Sequence, residues 1–193
     1  MAELEKQDIL EQFAKILVKS VKKVFDNKEA YHCLGPVEMK RSRIIEFMQR
    51  MRVYGIDKFE APTFVSTVNF YANLKDMEKH KALGVLVLYI EQDYVKRLLN
   101  MLQYPDIPDD DEELKDACGT LCNVIAGQFK IEISSLGGGY QALEMSHFSN
   151  YRNSALRGVE FNSKQMDKIE ISFTIRDQKR LVLEFSMGEI GKK

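Results

Sequence analysis

The run Gly84-Val85-Leu86-Val87-Leu88-Tyr89-Ile90 constrains the fold more than any other stretch of this chain. A continuous apolar run of this kind reads as a central strand buried on both faces. It falls far short of the roughly 20 residues a membrane helix needs. A strand of this kind must have partners. Thr63 to Leu74 supplies one, with large Phe64, Val68 and Phe70 set among β-branched residues. The charged turn Asp76 to Lys81 joins the two into a hairpin. Ile169 to Ile175 and Leu181 to Phe185 alternate around Arg176-Asp177-Gln178-Lys179 and form a second antiparallel hairpin. Val37-Met39 and Gln141 to Phe148 are read as further strands, and Arg152 to Gly158 as irregular.

Between the strands lie segments of helical period. Glu3 to Phe25 carries Ile9, Leu10, Phe13, Ile16, Leu17, Val21, Val24 and Phe25 at three- and four-residue steps. Lys15, Lys19, Lys22 and Lys23 fill its other side, and Asp26-Asn27 is the stop. Leu114 to Phe129 is the second long helix. Shorter ones are expected over Arg41 to Val53, where Ile44, Ile45, Met48 and Met51 share a side, and over Tyr94 to Leu102. Gly35-Pro36 breaks the chain before the first of these. The order of elements predicts an α+β fold, with the two long helices side by side on one antiparallel sheet.

A length of 193 residues suits a single domain spanning 1–193. Lys and Arg number 28 against 29 Asp and Glu, a formal net charge of −1. That balance argues against nucleic-acid binding through a basic surface and leaves protein partners and small ligands open. Three cysteines (Cys33, Cys118 and Cys122) make no disulfide framework and point to a reducing compartment. The charged opening MAELEKQDIL has no apolar core of a secretory signal, so the expected setting is cytoplasmic, away from the membrane.

Four features invite a site and have plainer explanations. Asp109, Asp110, Asp111, Glu112 and Glu113 run together, yet lack the ligand spacing and glycine of a calcium loop. They suit the N-terminus of a helix, where the dipole and capping favour acids. Cys118 and Cys122 are four apart, a spacing that can chelate a metal, but both fall on an apolar helix face and His32, His80 and His147 are scattered. Gly137-Gly138-Gly139 precedes strand-like residues without a following Lys-Ser/Thr, so it reads as a turn and not a phosphate loop. The lysine face of the first helix, diluted by acids at Glu3, Glu5, Asp8 and Glu11, is solvated.

The helix Leu114 to Phe129 is different. At about 100° per residue, Leu114, Ala117, Cys118, Leu121, Cys122, Ile125 and Phe129 gather on one side. Asp116, Thr120, Asn123 and Gly127 gather opposite, within a band of roughly 40°, with Glu113 near its N-terminal end. A glycine inside a helix costs about 1 kcal/mol against alanine. It also lets another backbone come close. Periodicity alone makes this no more than a solvated face.

The string Asp116-Ala117-Cys118-Gly119-Thr120-Leu121-Cys122-Asn123-Val124-Ile125-Ala126-Gly127 adds more. It resembles the signature helix of the CheC/CheX/FliY family of chemotaxis phosphatases. That signature has an acidic or Ser position, three residues, Glu, two residues and Asn, followed in CheX-like members by an Ile-Ala-Gly-type ending. Asp116 and Asn123 fit, as does Val124 to Gly127; Thr120 stands in place of the Glu. The layout is also CheX-like over residues 60–188, with a leading helix over 1–28 and an apparent insertion over 33–59.

The resemblance implies a CheC/CheX-like fold, a homodimer paired through sheet edges, and a phosphorylated CheY-type receiver domain as substrate. It assigns Asn123 the orienting of a water in line with an aspartyl-phosphate. It makes Thr120 the departure that weakens docking to the receiver lysine, with Asp116 or Glu113 as stand-ins and Gly127 as a place of close approach. The Mg²⁺ belongs to the receiver, and the chain itself is expected to bind no cofactor or metal. Two outcomes follow: a weakened aspartyl-phosphate phosphatase, or a catalytically degenerate receiver-binding or scaffold module.

Overall fold

The computed structural model describes residues 8–26, 28–153, 156–176 and 178–191. Helices are α1 (Ile9–Val24), α2 (Lys28–Cys33), α3 (Ile56–Phe59), α4 (Leu74–Glu78), α5 (Val95–Met101) and α6 (Asp111–Ser134). Strands are β1 (Leu34–Arg43), β2 (Glu46–Phe47), β3 (Arg50–Val53), β4 (Thr63–Tyr71), β5 (Gly84–Glu91), β6 (Glu144–Met145), β7 (Ser149–Arg152), β8 (Arg157–Val159), β9 (Asp167–Ile175) and β10 (Gln178–Met187).

Seven strands form one antiparallel sheet in the order β1-β9-β10-β5-β4-β6, with β7 also paired to β4. β5 lies inside the sheet, and all its residues but Glu91 are buried. Its alternate side chains serve two cores, as a strand's period of two requires. Leu86, Leu88 and Ile90 face the helices, and Val85, Val87 and Tyr89 face the other way. Both expected hairpins, β4–β5 and β9–β10, are present.

On the first face α1 and α6 lie together. Leu10, Phe13, Leu17 and Val21 of α1 and Leu121, Ile125 and Phe129 of α6 enter one core. Phe129 meets Phe70 at 5.4 Å and Phe185 at 5.2 Å between ring centroids. Glu132 of α6 pairs with Lys19 at 2.9 Å and with Lys23, both on α1. Their hydrogen bonds hold its carboxyl at about 2. Asp8 caps α1 by accepting from the Leu10 N–H at 2.9 Å. The earlier start expected at Glu3, the Asn27 stop and Asp177 of the hairpin turn lie outside the described residues.

The second face holds a layer the sequence reading missed. The helix expected over Arg41 to Val53 is instead the end of β1 and the hairpin β2–β3, which pairs with β8 in a three-stranded sheet. Met48 and Gln49 turn that hairpin with φ of 52° and 61°. The helical spacing of apolar residues misled because only Ile44 and Met51 are buried, while Ile45 and Met48 are exposed. Tertiary pairing overrides a weak local period. The segment 33–59 thus supplies the outer strand β1 as well as β2 and β3. Gln141 to Phe148 is mostly not strand: Tyr140–Ala142 forms a 3-10 turn, and β6 is two residues long.

A knot of charge is buried under this second layer. Glu170 and Glu184 are direct cross-strand neighbours on β9 and β10, an arrangement that repels by itself. Lys58 of α3 places Nζ 2.6 Å from both carboxylates, and Lys168 places its Nζ 2.5 Å from Glu184. The Tyr89 hydroxyl donates to Glu184 at 2.6 Å. Burial pushes the Glu184 carboxyl up, but the charges and hydrogen bonds of Lys168 and Lys58 outweigh it and hold the group below the usual carboxylate value. Burial likewise lowers Lys58, and the facing Glu184 and Glu170 more than reverse this.

Candidate functional site: the outer stripe of α6

α6 starts where the acidic run ends. Asp110 accepts from the N–H groups of Glu112 and Glu113 at 2.7 and 3.2 Å, so it is the N-cap. Asp109 pairs with Lys96 at 2.7 Å. Asp111 accepts from Gln92 at 2.8 Å, and Glu112 pairs with Lys115 and, at 3.2 Å, with Arg152. Capping and pairing account for the acids up to Glu112. Glu113 is exposed, and its carboxylate has no partner among the described residues.

The apolar side of α6 is sealed. Leu114, Cys118, Leu121, Cys122, Ile125, Ala126 and Phe129 are buried. Cys122 sits against the Ser66 carbonyl at 3.6 Å. Burial pushes the Cys118 thiol up to about 12 and raises Cys122 as well, so both act as small hydrophobes in the core.

The opposite side holds the residues that the sequence singled out, and it is open. Asp116 and Thr120 are exposed, and Asn123 and Gly127 are half-buried. The Asn123 amide makes no hydrogen bond to any described residue, whereas Cys122 and Gln128 on the same helix do. A Cβ on Gly127 would meet nothing within 4 Å. Val124, 46% exposed, adds an apolar contact beside Asn123. Thr120 and Asn123 are about 4.5 Å apart along the axis and Asp116 lies about 6 Å further back, at 1.5 Å per residue.

One wall of the stripe comes from residues the sequence gave no reason to choose. Asn150 of β7 accepts from the Ser66 hydroxyl at 2.8 Å and donates to Asp116 at 3.1 Å. The buried strand β4 thereby anchors Asp116. Phe148 packs over Gly119, where a Cβ would collide with its ring and lie 2.6 Å from Asn150 Oδ1. Gly119 is therefore a packing glycine, and Gly127 an open one. Arg152 follows on the same edge strand, over the Phe64 ring at 5.7 Å. No local pattern marks these residues, because Asn150 and Arg152 lie in a short strand and Phe148 in the irregular stretch just before it.

Residues 79–156 match the family model of the chemotaxis phosphatase CheX, a span that includes β5, α6 and the flanking β7 wall. Solved structures similar to it in fold cover most of the chain. A protein of Desulfovibrio vulgaris Hildenborough assigned to chemotaxis superposes with TM-score 0.59 at 15% identity, covering 90% of this chain and 95% of that one. The chain is similar to CheX over residues 79–156 and has the fold of CheX and CheC-like structures. CheX from Vibrio vulnificus gives TM-score 0.54 at 12% identity, covering 91% of this chain and 98% of its own. CheX of Borrelia burgdorferi, crystallised with CheY, BeF3 and Mg, gives 0.50 at 15% identity, covering 94% and 99%. A search of curated proteins gives no significant match. None of the described helices is long and apolar enough to cross a membrane.

Proposed function

We propose that the outer stripe of α6 docks on a phosphorylated receiver domain and that Asn123 orients the water that hydrolyses its aspartyl-phosphate. The observation that carries this reading is the Asn123 amide, half-buried and without a hydrogen bond to any described residue, on a helix packed against α1 and the main sheet. A polar group without an internal partner is available to an external one. An acyl phosphate is already prone to hydrolysis, so positioning supplies the rate, as a water-orienting Gln does in GTPases. Mg²⁺ comes with the receiver. The complex of the Borrelia CheX with CheY and BeF3 supports a receiver as the partner.

Thr120 limits the activity. A hydroxyl forms a neutral hydrogen bond, about half as strong as the charge-assisted bond of a carboxylate to the receiver lysine. Asp116 does not substitute freely, because Asn150 already holds it. Glu113 has a free carboxylate but lies about 15 Å from Asn123 along the axis. The second reading, a receiver-binding module without turnover, rests on these same observations. In either reading two copies pair along sheet edges, for which the outer strand β1 with its exposed Met39 is suited.

Phosphate release from an acyl-phosphorylated receiver, with and without the chain, tests the first reading. Faster release supports it. Unchanged release together with binding to a BeF3-loaded receiver favours the second, and loss of both overturns the assignment of α6 to a receiver.

A further inference from the structure

The charges of the Glu184 knot match, but its hydrogen-bond donors are not all filled. A protonated lysine carries three N–H donors. Lys58 directs two of them to Glu170 and Glu184, and its Nζ also stands 5.4 Å from the centre of the Tyr89 ring. Lys168 has one acceptor, Glu184 Oε1 at 2.5 Å. Its other two donors meet no acceptor among the described residues. The Lys168 side chain is only 11% exposed, so bulk solvent is largely kept from it. A buried donor without an acceptor is costly, and something must fill the place beside it.

That place is a cavity of about 180 Å³, lined by Lys168 and set between β1, β9 and β10 of the main sheet and the segment from β3 to α3. It is smaller than the usual site for an organic ligand. At roughly 30 Å³ for each water it has room for a few waters or for one compact ion. Lys58 and Lys168 reach the same oxygen of Glu184, at 2.6 and 2.5 Å, so their ammonium groups lie side by side in its wall. Lys40 and Arg43 of β1, both exposed, stand at its rim.

The sign of the charge selects an anion. Five cationic side chains and three carboxylates line the cavity among the described residues. Each carboxylate already has a cation: Asp57 has Arg52 at 2.5 Å, Glu170 has Lys58, and Glu184 has both buried lysines. The cations at the rim are less well matched. Lys40 has no ion-pair partner among the described residues. Arg43 comes no nearer than 3.6 Å to Asp167, which Arg41 holds at 2.6 Å. An ion with several oxygens accepts from a buried ammonium and from a guanidinium fork at once, and such charge-assisted bonds are the strong ones.

We propose that this cavity binds a compact oxyanion of the phosphate or sulfate class, with Lys168 donating to it from the floor and Lys40 and Arg43 from the rim. The site lies on the face of the sheet away from α6 and does not depend on a receiver. Calorimetric titration of the full chain with inorganic phosphate and, separately, with sulfate, at constant ionic strength in a chloride background, tests it. Saturable one-to-one binding of one or both, weakened about tenfold or more in Arg43→Ala and in Lys168→Met, is the expected result. Where circular dichroism shows that Lys168→Met does not fold, Arg43→Ala and Lys40→Ala, both at exposed positions, decide the matter. Lys22→Ala, on the solvated face of α1, leaves affinity unchanged. No saturation by either probe at millimolar concentration leaves the donors to water and overturns the proposal. Equal weakening by Lys22→Ala, or unchanged affinity in both Arg43→Ala and Lys40→Ala, overturns it as well.

Discussion

The outer stripe of α6 and the charge knot around Glu184 are both polar, and they are built in opposite ways. In the knot each charged group faces an opposite charge within 2.6 Å. On the stripe, the Asn123 amide and the Glu113 carboxylate have no partner among the described residues, and Gly127 faces open space. Satisfied polar groups specify the fold, and breaking them destabilises it. Unsatisfied ones at the surface contribute little to the fold and are free to act on something else. The comparison separates positions where substitution harms stability from positions where it harms function.

The largest effect belongs to the knot. Glu184→Gln leaves Lys168 and Lys58 without their shared buried counter-charge and costs about 3–5 kcal/mol of unfolding free energy. Chemical denaturation measures this, and a change below about 1 kcal/mol would mean that water screens the cluster. The pH dependence has a definite sign. The folded-state pKa of Glu184 is depressed below its ordinary value of 4.5, so its contribution is complete above that value and is lost as pH falls through the folded pKa. Lys58 is raised above 10.5, so its contribution is present below that value and is lost as pH rises through its folded pKa. Glu184→Gln flattens the acid limb of the stability profile.

The two glycines of α6 sharpen the contrast within a single helix. Gly119→Ala forces a methyl group into Phe148 and Asn150 and costs about 1–3 kcal/mol despite alanine's better helix propensity. Thr120→Glu places a charge at the proposed docking position and is expected to speed receiver dephosphorylation about tenfold, the gain of a charge-assisted bond over a neutral one. Gly127→Ala meets nothing and raises stability by up to about 1 kcal/mol. If a receiver packs closely there, the same change weakens its binding. Thermal unfolding and receiver titration of both glycine variants separate packing from docking.

Much of this was legible in the sequence because the signals were long. The apolar run of β5, the wheel of α6 and the alternation of β9 and β10 each extend over enough residues to specify their own structure. The hairpin over Arg41 to Val53 was not legible: its strands are held by pairing with β8, more than a hundred residues away in the chain. For the site, the stripe from Glu113 to Gly127 could be read from periodicity, since one rigid helix carries all of it. Asn150 and Phe148 could not, because they reach α6 only through the pairing of β7 with β4.

The most direct test is the rate of phosphate loss from an acyl-phosphorylated receiver in the presence of the wild-type chain and of Asn123→Ala. Unfolding free energies of the two proteins should agree within about 0.5 kcal/mol, as for a surface change. The account predicts that the acceleration by wild type falls about 100-fold or more in the variant, the loss seen when a group positioned on the reacting atoms is removed. Equal acceleration by the two would contradict it and place the activity, if any, elsewhere on the molecule.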